Sequence, residues 1–333
     1  LQTLPSFGLF FLVIFLFLHL DVLNLGQLFI VSLFLGMSTP TRRSAIKHLM
    51  LGSIAASTIS AESFGHPITK TETMDSAKKL KGNINHSACR WCYSSIPLEA
   101  FCQSAKKIGL VGIDLVGPKD WDMLKKYDLI STMCNGAEIN LNDGFNDTKF
   151  HEKLIKNYTE MIPLVAKAGY KNLICFSGQR RGKDSETGLN NCATGLKQIT
   201  GIAEKHGVTL VMELLNSKIN HKDYQCDRSD WGVELCKRVG SENFKLLYDI
   251  YHMQIDEGDV INTIKKHHTY FAHYHTGGVP GRNEINETQE LNYPAIMKAI
   301  VDTGYKGYVA QEFIPTWDDK IAALKQGVQI CDV

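Results

Sequence analysis

"HSACRWCYSSIP", residues 86–97, joins a short β-rich run to an amphipathic stretch, and what it lacks decides the architecture. An open, doubly wound sheet that cradles a dinucleotide needs glycines at this first turn, in the order G-x-G-x-x-G, so that backbone can approach a phosphate. No glycine stands here. Working outward from this turn, β-rich runs alternate with longer amphipathic segments, which is the pattern of βα units around a parallel sheet. The runs lie at 84–89, 111–116, 128–134, 171–178, 208–215, 244–252, 270–278 and 307–313.

Eight such units in about 250 residues fit an α/β fold of the TIM (β/α)8 barrel kind. The doubly wound sheet is the runner-up. Several of the intervening segments end in glycine, as helix C-termini prefer. Within 83–333 no linker, repeat or low-complexity stretch interrupts the pattern, so one catalytic domain is expected there. The 333 residues are 44% hydrophobic with a formal net charge of +1, which supplies a large core but no basic face for nucleic acid.

Residues 1–36 are apolar, carry no Lys or Arg, and read as an over-extended start. A short membrane anchor from Phe7 to Leu20 is the alternative. Residues 37–61 open on Met37 and place Arg42 and Arg43 before an apolar stretch and small residues, the layout of a twin-arginine signal peptide. Residues 62–82 then form a flexible leader. This predicts export to a bacterial periplasm, with no stable membrane association after the signal is removed. Nine cysteines are spread along the domain and read as buried thiols, "CRWC" at 89–92 included.

In a TIM barrel the chemistry gathers at the C-terminal ends of the strands. Those ends carry Glu213 in "VMELLN", Asp249 in "LLYDIYHMQ", His275 in "AHYHTGG" and Glu312 in "AQEFIP", separated by 36, 26 and 37 residues, about one βα unit each. Three carboxylates inside apolar strands carry a desolvation penalty that a cation removes. Two Glu, one Asp and one His suit Mg²⁺ or Mn²⁺ better than Zn²⁺. His252 is expected where a strand runs into its loop, within reach of a substrate oxygen. His273 shares the inward side of its strand with His275 but sits one layer deeper, in a packing position.

The chain resembles the xylose isomerase-like TIM barrels, and within them the hydroxypyruvate isomerase-like group of sugar isomerases and epimerases. The likeness rests on "GIDLVGP", "FSGQRRG", "VMELLNSK", "YDIYHMQ", "HTGGVPGRNEIN" and "YVAQEFIP" in that order. It implies a divalent metal held by Glu213, Asp249, His275 and Glu312, with Glu213 and Glu312 also the acid/base pair. It also implies Arg282 on the substrate's polar end, and Gln179 and Arg180 on the rim of the mouth. Hydroxypyruvate isomerases of this group usually have Gln where this chain has His275, whereas ketose 3-epimerases have His; "VPGR" follows the isomerases. The expected reaction is a metal-assisted isomerisation of a small carbohydrate or hydroxy-keto acid through an enediolate. The alternatives are a ketose 3-epimerase, an endonuclease IV-like phosphodiesterase and a non-catalytic sugar-binding barrel. A homo-oligomer is compatible with the sequence.

Overall fold

The computed structural model describes residues 79–333. Residues 1–78, to which the expected over-extended start, the expected twin-arginine signal and most of the expected leader belong, lie outside the described residues. The strands are β1 (Asn85–Cys89), β2 (Gly112–Asp114), β3 (Ile130–Met133), β4 (Asn172–Cys175), β5 (Thr209–Glu213), β6 (Phe244–Asp249), β7 (Phe271–Thr276) and β8 (Tyr308–Gln311). They form one parallel sheet in the order β3-β2-β1-β8-β7-β6-β5-β4. The two ends of that order meet. Cys134, just past β3, bridges Leu173 of β4, donating its N–H to the Asn172 carbonyl and accepting from Ile174 N–H, both at 2.9 Å. The sheet therefore closes into a barrel, and the open-sheet alternative is excluded.

The helices are α1 (Leu98–Ile108), α2 (Trp121–Lys126), α3 (His151–Ala168), α4 (Ser185–His206), α5 (Ser229–Val239), α6 (Ile250–Asp256), α7 (Val260–His267), α8 (Tyr293–Asp302) and α9 (Lys320–Cys331). Gly109 and Gly207 close α1 and α4 at φ 99° and 64°, a left-handed turn that a side chain would strain. The sequence pattern passed over α2 and α6, because six and seven residues are too few to show a 3.6-residue period. The sixth strand also stops earlier than its apolar run suggests. Asp249 caps α6, its Oδ1 accepting from the His252 N–H at 3.1 Å, so His252 stands in the first turn of a helix rather than on a strand. No helix among the described residues is long and apolar enough to cross a membrane.

Most of the core lies between the sheet and the surrounding helices. Inside the barrel, Met133, Ile174, Val211 and Leu247 form a separate and fully buried plug, with Leu115 and Phe176 packed against it. Val211 and Leu247 stand two residues before Glu213 on β5 and Asp249 on β6, so these polar strand ends rise from the apolar layer. Leu247→Ala would leave a cavity that four β-strands cannot close. It should cost about 2–5 kcal/mol of stability, measured as a lowered urea midpoint with unchanged slope.

Candidate active site

Parallel pairing sets Asp249 beside His275, and Glu312 donates its backbone N–H to the Thr276 carbonyl one residue further along β7. Glu213, at the end of β5, pairs with Leu247, two residues before Asp249 on β6, which is the stagger of a closed barrel. One ligand atom from each of Glu213, Asp249, His275 and Glu312 lies within 4.8 Å of the others. His275 Nδ1 is the hub, at 2.8 Å from Glu312 Oε2, 3.2 Å from Glu213 Oε1 and 4.0 Å from Asp249 Oδ2. All four residues are buried, none more than 4% exposed.

Burial dominates their ionisation. It pushes the Asp249 carboxyl well up and the Glu213 carboxyl up, with the nearby charge of Glu312 adding to both. Burial would raise Glu312 too, but His275 and Arg282 outweigh it and hold that carboxyl well below its ordinary value. Glu213 Oε1 is buried with no hydrogen-bond partner. Three buried carboxylates, one with an oxygen that makes no hydrogen bond, and one imidazole make a donor set that fits a hard divalent cation such as Mg²⁺ or Mn²⁺.

A fifth residue completes the arrangement, and sequence reasoning assigned it no role. Asp114 Oδ2, on β2, lies 2.8 Å from His275 Nε2, so the ring's other nitrogen faces the carboxylate cluster. A carboxylate behind a histidine in this way fixes its tautomer and makes it a better ligand. Asp114 is itself held by the Thr132 hydroxyl at 2.6 Å, and Thr132 Oγ1 lies 2.6 Å from Ser87 Oγ. Burial would raise the Asp114 carboxyl, but His273 and His275 hold it well below its ordinary value. The available signal was the acid inside the apolar run "VGIDLV", the same feature that singled out Asp249 in "LLYDIY".

His273 lies one layer down, as its spacing implies, with Nε2 3.0 Å from Asp114 Oδ1. All nine cysteines are free and buried. Cys89 Sγ is 3.6 Å from His275 Nε2, but burial pushes its thiol well up and keeps it neutral.

A cavity of about 320 Å³ opens over the cluster. Its polar lining is Glu213, His221, Arg282 and Glu312; the remainder is Trp91, Leu115, Leu141, Phe176 and Leu215. Arg282 enters from the β7–α8 loop with its guanidinium 5.1 Å from the Trp91 ring centroid and 5.3 Å from that of Tyr251. One terminal nitrogen reaches Glu312 Oε2 and lies 3.5 Å from Asp249 Oδ2. Arg282 Nε is buried without a partner. The backbone of Arg282 is left-handed at φ 60°, a strained conformation for a side chain of this size. Its N–H donates to the Gly278 carbonyl at 2.7 Å, which holds the turn that aims it inward.

The other expected residues are placed differently. His252 is fully buried behind the cluster, its Nδ1 2.6 Å from Asn216 Nδ2 and its Nε2 3.6 Å from Asp249 Oδ2. Gln179 and Arg180 are not part of the cavity lining. Arg180 is spent on Asp227 at 2.8 Å, and Gln179 lies against the β5–α5 loop, 3.4 Å from the Lys222 carbonyl.

Residues 104–330 match the model of the family described as xylose isomerase-like TIM barrel. The chain belongs to that family. Among similar members, a 2-oxo-tetronate isomerase of Cupriavidus necator is 37% identical over 113 residues, 34% of this chain and 43% of that protein. A hydroxypyruvate isomerase of Escherichia coli is 27% identical over 227 residues, 64% of this chain and 86% of that one. Several curated relatives, the first of these among them, are thus matched over less than half of their length. A crystal structure described as AP endonuclease, family 2, from Brucella melitensis superposes with a TM-score of 0.66 at 23% identity, covering 74% of this chain and 99% of that one. At that identity the likeness shows the barrel alone.

Two outcomes follow for this xylose isomerase-like barrel. Asp114→Asn should weaken Mn²⁺ binding about 10–100-fold, read by titration of the free-ion paramagnetic resonance signal, with the barrel still folded. Mn²⁺ affinity should also rise with pH through a window above the ordinary carboxylate range. The raised Asp249 and Glu213 carboxyls must lose protons before they can ligate, so an affinity flat across that window would contradict the donor set.

Proposed function

We propose that the chain is a divalent-metal-dependent isomerase of a small hydroxy-carbonyl compound, hydroxypyruvate or a related keto sugar, with Glu213, Asp249, His275 and Glu312 as metal ligands. The observation that carries this reading is the cluster itself: four ligand atoms within 4.8 Å, one of them an unpartnered glutamate oxygen, beneath a cavity that Arg282 enters. The isomerase names of the two relatives support the reaction class. Mg²⁺ or Mn²⁺, when bound, supplies the Lewis acid that polarises a carbonyl and stabilises negative charge on its oxygen.

The remaining chemistry belongs to this chain's residues. Glu213 lines the cavity with an Oε1 that makes no hydrogen bond and only a 3.2 Å ion-pair contact with His275 Nδ1, so it takes the proton from the carbon beside the carbonyl. Glu312 is fixed by the Trp91 indole N–H at 2.8 Å, by His275 and by Arg282, which hold it ionised; it therefore takes a proton from solvent before it returns one to the neighbouring carbon, and Glu213 releases its proton to solvent in the same cycle. The positive charge of Arg282 faces the charge that develops on the substrate oxygens, and its unpartnered Nε donates to the substrate's polar end. The apolar wall of Leu115, Leu141, Phe176 and Leu215 keeps water from the enediolate. A ketose 3-epimerase uses the same groups, with the proton returned to the opposite face of the same carbon. The histidine at 275 favours that second reading.

Purified protein should contain a stoichiometric divalent metal, and its removal by chelator should lower the melting temperature and abolish turnover. With Mn²⁺ restored, Glu213→Gln or Glu312→Gln should stop solvent deuterium entering hydroxypyruvate, followed by proton resonance; wild-type exchange rates in both variants would reject the acid/base pair. We also propose periplasmic export through Arg42 and Arg43. Replacing both with Lys should hold the protein in the cytoplasmic fraction.

A further inference from the structure

The mouth holds an imidazole that the proton chemistry above leaves unused. His221 stands in the β5–α5 loop and lines the same cavity as Glu213, Arg282 and Glu312. Neither of its ring nitrogens has a hydrogen-bond partner among the described residues; its ring meets that of His252 edge-on at 5.2 Å and lies tilted to that of Tyr224 at 6.5 Å. The loop that carries it is held firmly. Asn216 Oδ1 accepts from Ile219 N–H at 3.1 Å and Asn220 N–H at 2.9 Å, and the His221 N–H donates to the Asn216 carbonyl at 3.1 Å. Asn220 Oδ1 is in turn held by Asn216 Nδ2 and the Tyr251 hydroxyl. A polar ring carried on a fixed loop, open to a cavity and without a partner is set up to meet one that arrives with the ligand.

Moving a carbonyl to the neighbouring carbon requires two proton transfers, one between carbons and one between oxygens. The glutamates serve the first. The second needs a group that both accepts and donates at adjacent oxygens, which a neutral imidazole does and a carboxylate locked by Trp91 and Arg282 does not. Burial, and then the charge of Arg282, hold His221 below its ordinary pKa and so in the neutral form. His252 is not free for this work, since Asn216 holds its Nδ1 and the ring is fully buried.

We propose that His221 is a catalytic residue that carries the hydroxyl proton between the two substrate oxygens, which makes this site an aldose–ketose isomerase rather than an epimerase. The inference rests on the isomerase reading. A glutamate takes the carbon-bound proton, and the electron pair left behind forms the C=C bond while the carbonyl π pair moves to oxygen. His221 takes the proton of the neighbouring hydroxyl and gives one to the former carbonyl oxygen. The new carbonyl then forms at the neighbouring carbon as the C=C pair takes the proton from a glutamate. Hydrogen moves from carbon to carbon and from oxygen to oxygen, with no net oxidation. Epimerisation at one carbon needs no transfer between oxygens.

The test uses the Mn²⁺-loaded full chain with hydroxypyruvate and 2-oxo-tetronate in D₂O, comparing wild type with His221→Phe and His221→Gln. Two rates are read by proton resonance: deuterium entry at carbon and net conversion to the aldehyde. Both variants should keep deuterium entry while net conversion falls about 100-fold, so the ratio of exchange to conversion rises by that factor. Mn²⁺ affinity and melting temperature should match wild type in at least the Gln variant, which keeps a polar amide but cannot shuttle a proton. Exchange and conversion falling together, or neither falling, would overturn the shuttle and leave the isomerase reading standing. Wild-type protein that neither exchanges nor converts either compound would overturn the isomerase reading and the shuttle with it.

Discussion

Glu213, Asp249 and Glu312 repel one another at the mouth of the barrel, where water screens them poorly, and the polar half of the interior is arranged around that repulsion. His275 stands between them with Nδ1 towards the cluster, and Asp114 takes the other face of the ring at 2.8 Å. The chain from Ser87 through Thr132 to Asp114 and on to His275 runs across β1, β3, β2 and β7. It sets the orientation of the imidazole from inside the barrel. Arg282 supplies positive charge from above, with its guanidinium between Trp91 and Tyr251. A divalent cation at the centre would neutralise more of the cluster than either, which is why the same geometry reads as a metal centre.

The mouth is divided by strand number. Loops after β1 to β4 present Trp91, Leu115, Leu141 and Phe176, whereas β5 to β8 present the carboxylates, His275 and Arg282. Leu115 shows how the apolar side is built. A register shift between β2 and β3 at Ile113 and Asp114 leaves Leu115 left-handed at φ 57°, held by its N–H to the Met133 carbonyl at 2.8 Å. The same irregularity lies at Asp114, next to the residue that backs His275. One local distortion therefore serves both the polar centre and the apolar wall facing it.

The strand-end acids were legible because burial makes them conspicuous: a Glu or Asp within an apolar run must be compensated. The residues that compensate them were legible only where they carried an equally unusual local pattern. Arg282 did, in "GGVPGR". Asp114 carried the same signal as Asp249 but sits five strands before His275 in the chain, and nothing local tells that β2 and β7 face each other across the interior. His221 lies in a polar run, "NSKINHKDY", where a histidine looks solvated until the Asn216 turn is seen to fold it over the mouth. Arg180 shows the converse, since its rim position does not reveal that Asp227 takes its guanidinium.

Periodicity and spacing by themselves determined the barrel class, the eight strand positions and the four strand-end residues, because a parallel βα repeat brings successive strand ends to one face. Tertiary structure alone decided that β3 and β4 close through Cys134 and Leu173, and which nitrogen of His275 faces the cluster. Those features depend on hydrogen bonds between groups far apart in the chain. Their partners are fixed by the stagger of the closed barrel rather than by any run of neighbouring residues.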